Sequence, residues 1–346
     1  MTKITRQHFL RNCALGTVPL ILGRSSRAAE EPPIVGNGSF RYRVLHDWGQ
    51  LPSNIQYGLT HGVAVDSKGL VHVLHTSRAD SPKKDTVVTF DPSGRFVRSW
   101  GSEYFGSAHG FDLVRENGAD FFYLTDMARG LFKTTVEGKV IWHLAKPDYY
   151  EGKSLKYTPT NVAVAPGGRI FYADGYGSWY IHILDANGKY LKTFGGPGEG
   201  NTATIHPHGL CVDTRGKEPL VIVAENDPNG QKPGRLHAFN MEGEHHSYLQ
   251  INVRSPRHFD QQNGLMVIPD LDAVVTLLDE KHRTIAQLGD GFTTFNEIRT
   301  LRTKPRSAFL TGKFVCPHDA AFAKDGSIFV SEWVDVGRVT KLEKIS

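Results

Sequence analysis

The chain has 346 residues, 39% of them hydrophobic, enough to bury a large core and too many for a minimal domain. The formal charge is +4, but residues 1–28 carry five basic side chains and no acidic one, so the remainder stands near −1 (4 − 5). That balance argues against nucleic acid as a partner. No later apolar stretch reaches the roughly 18 residues that a membrane-spanning helix needs.

At the N-terminus, Lys3, Arg6 and Arg11 precede an apolar run over 13–23, followed by Ser25, Ser26, Ala28 and Ala29. This is the layout of an export signal over residues 1–28, the alternative being an ordinary amphipathic helix. Thr5-Arg6-Gln7-His8-Phe9-Leu10-Arg11 resembles a twin-arginine signal, except that Gln7 stands where the second arginine belongs. The expected location is therefore periplasmic or extracellular. Cys13 falls inside this leader. Cys211 and Cys316 sit on or beside apolar strands and are expected as two free thiols.

From residue 40 onward one unit recurs. Its opening reads Thr60-His61-Gly62-Val63, Ala108-His109-Gly110-Phe111, Thr160-Asn161-Val162, Pro207-His208-Gly209-Leu210, Pro256-Arg257-His258-Phe259 and Pro317-His318-Asp319-Ala320. From His61 the spacings are 48, 52, 47, 50 and 60 residues, close to one four-stranded propeller blade. Within units, period-two strands alternate with turns such as Asp91-Pro92-Ser93-Gly94 and Asp185-Ala186-Asn187-Gly188. The sixth unit ends after three strands, near Leu342. Residues 40–49 read as an outer strand with no blade of its own. Pairing the two termini closes the ring, so residues 40–346 are predicted to be all-β, a six-bladed β-propeller.

In such a ring the inner strands border the axial channel, which puts His61, His109, Asn161, His208, His258 and His318 at one level. Crowded histidines cannot all be charged, and a metal ion satisfies several neutral imidazoles at once. Alternate blades lie a third of a turn apart. Blades two, four and six supply His109, His208 and His318, a three-histidine pattern that leaves a position open, as in catalytic zinc sites. Blades one, three and five supply the poorer set His61, Asn161 and His258. The other reading is that these histidines hold turns by hydrogen bonds.

These motifs, with Asp174-Gly175-Tyr176 after a third-blade strand, resemble the NHL-repeat propellers and, among them, the peptidyl-α-hydroxyglycine α-amidating lyases. The resemblance implies zinc on His109, His208 and His318. It also implies a structural calcium on Asp319 and the carbonyls of Val63 and Phe111. The alternative for Asp319 is a carboxylate that caps a turn. Tyr176 matches the family's catalytic tyrosine, whose phenol loses its proton more readily beside a cation. The implied reaction is C–N cleavage of an α-hydroxyglycine-type substrate, small molecule or peptide, to an amide and glyoxylate, by a protein expected to be a monomer.

The chain departs from the family at its substrate arginines. Asn226 stands at one of those positions, and Arg78 offers the nearest match to another, about two residues late; Arg129 is a further candidate for the rim. The family's disulfide cysteines are absent, with Gly177 following Tyr176. Two alternatives therefore stand beside the lyase. One is a non-catalytic, metal-stabilised propeller whose loops at 78–85, 148–157 and 226–234 bind a protein or glycan. The other is a metal-dependent lactonase. Residues 292–314 are read either as a lid or as a long connection.

Overall fold

The computed structural model describes residues 31–230 and 232–345, so the expected export signal over 1–28 lies outside the described residues. The strands fall into six antiparallel sheets, and the helical content among the described residues is one seven-residue α-helix with three short 3-10 turns. The first four blades open with the inner strands Thr60–Val65, Ala108–Glu116, Asn161–Val164 and Pro207–Asp213. The fifth and sixth open with Asp260–Gln262 and Pro317–Phe322.

The ring closes between the chain's two ends. Phe40–Leu45 pairs with Arg338–Lys344 in the register Tyr42↔Lys344 through Leu45↔Lys341. One strand was not anticipated: Ile34–Asn37 hairpins onto Phe40–Leu45 and extends the sixth sheet to five strands. The propeller therefore begins before residue 40. A buried pair also fixes the closing blade. Arg338 donates to both oxygens of Glu332, and the backbone N–H of Val315 and the hydroxyl of Thr340 donate to the same carboxylate.

Local chemistry explains why each unit folds as it does. At the outer hairpins an aspartate or asparagine accepts two backbone N–H groups across the turn. Asp91 takes those of Ser93 and Arg95, Asp185 those of Asn187 and Lys189, and Asn240 those of Glu242 and Glu244. The turn at Asp91 needs a left-handed residue, and Gly94 supplies it at φ 87°. Inner strands are buried along their length, as in Pro207–Asp213, whereas the outer strand Phe96–Trp100 is exposed or half-buried throughout. Apolar faces of neighbouring sheets pack together, for example Phe171, Ile181 and Ile183 of blade three against Leu210, Val221 and Val223 of blade four. Fully burying each such side chain contributes about 1.5–3 kcal/mol. Both cysteines are free and buried, as expected.

Candidate metal centre

The inner strands bring four imidazoles together on the axis. Ring centroids are 4.8 Å apart for His61–His109, His61–His318 and His208–His318, 5.0 Å for His109–His208 and 5.3 Å for His109–His318. The four rings form two triangles sharing the His109–His318 edge, with His61 on one side and His208 on the other. The rings of the expected trio stand side by side, but the three histidines whose ligand atoms converge are His61, His109 and His318, with His208 outside that group. The ligand atoms of His61, His109 and His318 all lie within 4.8 Å of one another.

Each member of the expected trio is oriented by the next blade. The Nδ1–H of His109 donates to the carbonyl of Thr160 at 2.8 Å, that of His208 to Arg257 at 3.3 Å, and that of His318 to His61 at 2.7 Å. A carbonyl only accepts, so Nδ1 carries the proton and Nε2 keeps its lone pair. This is how outer-shell carbonyls prepare an imidazole to bind metal. Burial holds all three rings neutral, with the His109 pKa lowered to about 4 and those of His208 and His318 well below the usual value. His61 is also fully buried, and neither of its ring nitrogens has a hydrogen-bond partner. Leaving such groups unmet costs about 1–3 kcal/mol each. A metal cation that takes imidazole nitrogens fits this donor set: neutral ligands, three of them already oriented.

Tyr176 stands at the same point. Its hydroxyl lies 3.1 Å from Nε2 of His109 and 2.9 Å from Nε2 of His208. Burial raises its pKa, an effect that the nearby guanidinium groups of Arg257 and Arg299 oppose. The strand Ile170–Ala173 places it, and Asp174 holds the following loop by accepting from the N–H groups of Thr158 and Ser178.

Tyr176 and His318 line a cavity of about 290 Å³ shared with His206, Asn226, Arg257 and Arg299. Asn226 thus reaches the cavity, where its side-chain oxygen pairs with His206. Arg78 does not reach it. Arg78 sits on an exposed loop with its guanidinium bound to both oxygens of Asp80, because a solvent-facing arginine two residues from an aspartate finds that partner first. Arg129 is likewise engaged elsewhere, with Asp126 and over the Tyr104 ring.

The cavity's arginines are two that the sequence reading missed. Arg257 precedes the fifth repeat histidine in Pro256-Arg257-His258, and the repeat, which aligns the imidazole, carries no separate signal for the cation. It is buried, and its Nε and Nη1 have no hydrogen-bond partner. Arg299 comes from the 292–314 segment, on helix α1 (Phe295–Leu301), which Thr294 caps by accepting from the N–H of Glu297. The connection therefore contributes to the cavity, with Phe295 and Arg299 in its wall. No repeat signal marked it.

At another level of the channel Val63, Phe111 and Asp319 do meet, around a cavity of about 90 Å³ with His258 and Asp260. Asp319, the carboxylate expected at a calcium site, is engaged there by protein donors. One oxygen accepts from His258 Nδ1 at 2.5 Å and from the N–H of Ala320, and the other from the N–H of Val63. Burial lowers the His258 pKa, but the Asp319 carboxylate beside it outweighs this and raises it.

Fold and centre together define a six-bladed β-propeller with a histidine cluster on its axis. Its similarity among curated proteins is to the peptidyl-α-hydroxyglycine α-amidating lyases. The chain is 26% identical to lyase 2 of Drosophila melanogaster, covering 90% of the chain and 68% of that protein. It is 26% identical to lyase 1 of the same organism, covering 81% of the chain and 56% of that protein. The chain thus spans little more than half to two thirds of these relatives. No family model matches. Among solved structures, a Xanthomonas campestris gluconolactonase shares the fold with a TM-score of 0.55 at 12% identity, over 91% of the chain and 98% of that protein.

Proposed function

We propose that this propeller is a zinc-dependent lyase that cleaves the C–N bond of a peptidyl-α-hydroxyglycine-type substrate, releasing an amide and glyoxylate. The observation that carries this reading is the Tyr176 hydroxyl within hydrogen-bond reach of two inward-facing Nε2 atoms, at the wall of an arginine-lined cavity. The similarity to amidating lyases supports it at family level.

His109, His208 and His318 would hold the zinc, which when bound supplies Lewis-acid charge to an oxygen and lowers the pKa of a neighbouring phenol. The chain's own groups do the rest. The unpartnered N–H groups of Arg257, with the charge of Arg299, seat the substrate carboxylate and orient the carbinol carbon towards the histidines. Tyr176, as phenolate, takes the carbinol hydroxyl proton. The O–H electron pair becomes the carbonyl of glyoxylate, the C–N pair leaves on nitrogen, and a proton delivered there completes the amide. Helix α1 walls the cavity and limits water, so the aldehyde product forms in a sheltered site.

The test is Tyr176→Phe. Turnover of an α-hydroxyglycine peptide should fall about 10²–10⁴-fold, the usual worth of a positioned acid or base, with metal content unchanged. Wild-type protein that carries zinc yet leaves such peptides intact would refute the lyase reading.

A further inference from the structure

His61 is the one member of the axial cluster whose chemistry the three-histidine centre leaves unused. It is fully buried, and both ring nitrogens lack a partner, whereas His109, His208 and His318 each spend Nδ1 on a carbonyl. It is not remote either: its ring lies 4.8 Å from those of His109 and His318, and its ligand atom falls within 4.8 Å of theirs. Its own backbone carbonyl orients His318. A histidine kept only for packing would be expected to pair at least one nitrogen with protein.

We propose that His61 is a fourth imidazole ligand of the channel metal, bound on the side of the His109–His318 edge opposite His208 and Tyr176. The proposal rests on the channel being a metal centre. It changes the character of that centre. Four neutral imidazoles fill a tetrahedral shell, so an oxygen ligand enters only if the ion accepts a fifth partner or releases one histidine. Such a donor set also suits iron, nickel or copper as well as zinc. The entry side for that fifth ligand is the His208–Tyr176 side, where the 290 Å³ cavity opens.

The experiment loads the purified full chain with zinc alone. X-ray absorption then counts imidazole ligands, and chelator competition measures affinity, for wild type, His61→Ala and His208→Ala. His61→Asn is a second variant, because Asn161 occupies the same position on blade three and the substitution keeps a polar side chain of similar reach. The proposal expects four imidazoles in wild type and three in either His61 variant. It also expects affinity to fall by more than the roughly 10–100-fold that loss of an outer-shell partner costs. Three imidazoles in wild type, with His61→Asn unchanged in count and affinity, would overturn it while leaving the metal centre standing. No stoichiometric zinc in wild type would overturn the metal reading itself, and this inference with it.

Discussion

Gly110→Ala offers a quantitative probe of how the blades aim the histidines. A Cβ at this position would sit 2.6 Å from the carbonyl oxygen of Thr160 and 3.0 Å from the Asn161 side chain. Ordinary contact begins near 3.4 Å, so the third-blade strand must retreat by 0.8 Å (3.4 − 2.6). That oxygen is the acceptor for the Nδ1–H of His109 at 2.8 Å and for the Thr125 hydroxyl at 2.8 Å. A retreat of this size takes both bonds beyond useful range. Overpacking of this kind costs about 1–3 kcal/mol. With an unfolding entropy of about 2.1 cal/mol/K per residue, the loss in Tm is about 2–5 °C. Zinc affinity should fall about 10–100-fold, because His109 loses the carbonyl that orients it. Differential scanning calorimetry of metal-free protein and a zinc competition titration measure the two effects. The control is Gly216→Ala, whose Cβ meets nothing closer than 3.6 Å and should change stability by no more than about 0.5 kcal/mol. Unchanged Tm and unchanged affinity in Gly110→Ala would refute the claim that the Thr160 carbonyl aims His109.

The pH dependence of the metal-free protein should carry the signature of buried neutral imidazoles. His109 has a folded pKa of about 4 against an ordinary 6.5, so between those values the unfolded chain binds the proton that the folded one refuses. Stability therefore falls as pH drops through that window, by about 3 kcal/mol from His109 alone, with His61, His208 and His318 acting in the same direction. Urea denaturation at stepped pH checks this, and a His109→Gln variant with an identical slope would contradict it. In the closing blade, Glu332→Leu strands the buried Arg338 cation and should cost about 3–5 kcal/mol in the same assay. A cost under about 1 kcal/mol would show that the pair does not hold the seam.

The sequence by itself determined the architecture and most of the axial cluster, because both are repeat properties. Six copies of one strand opening, spaced near one blade length, fix the number of blades. Equivalent positions in a closed ring must share one level of the channel, so the meeting of His109, His208 and His318 was legible before any coordinates. Tyr176 was legible only through the resemblance to the amidating lyases, since Asp174-Gly175-Tyr176 is by itself a common turn tripeptide, to which its place after the third-blade strand gave weight. Only the tertiary structure decided what lies outside the repeat or depends on how partners are shared. Arg78 went to Asp80, while Arg257 and Arg299 became the cavity's cations, one masked by its histidine neighbour and one carried by a helix without periodic signal. Asp319 turned to His258, and His61 was left buried with two bare nitrogens. Those outcomes follow from competition among donors and acceptors for the nearest partner in three dimensions. A repeat fixes which residues share a level of the channel, but distances of a few tenths of an ångström decide which of them pair.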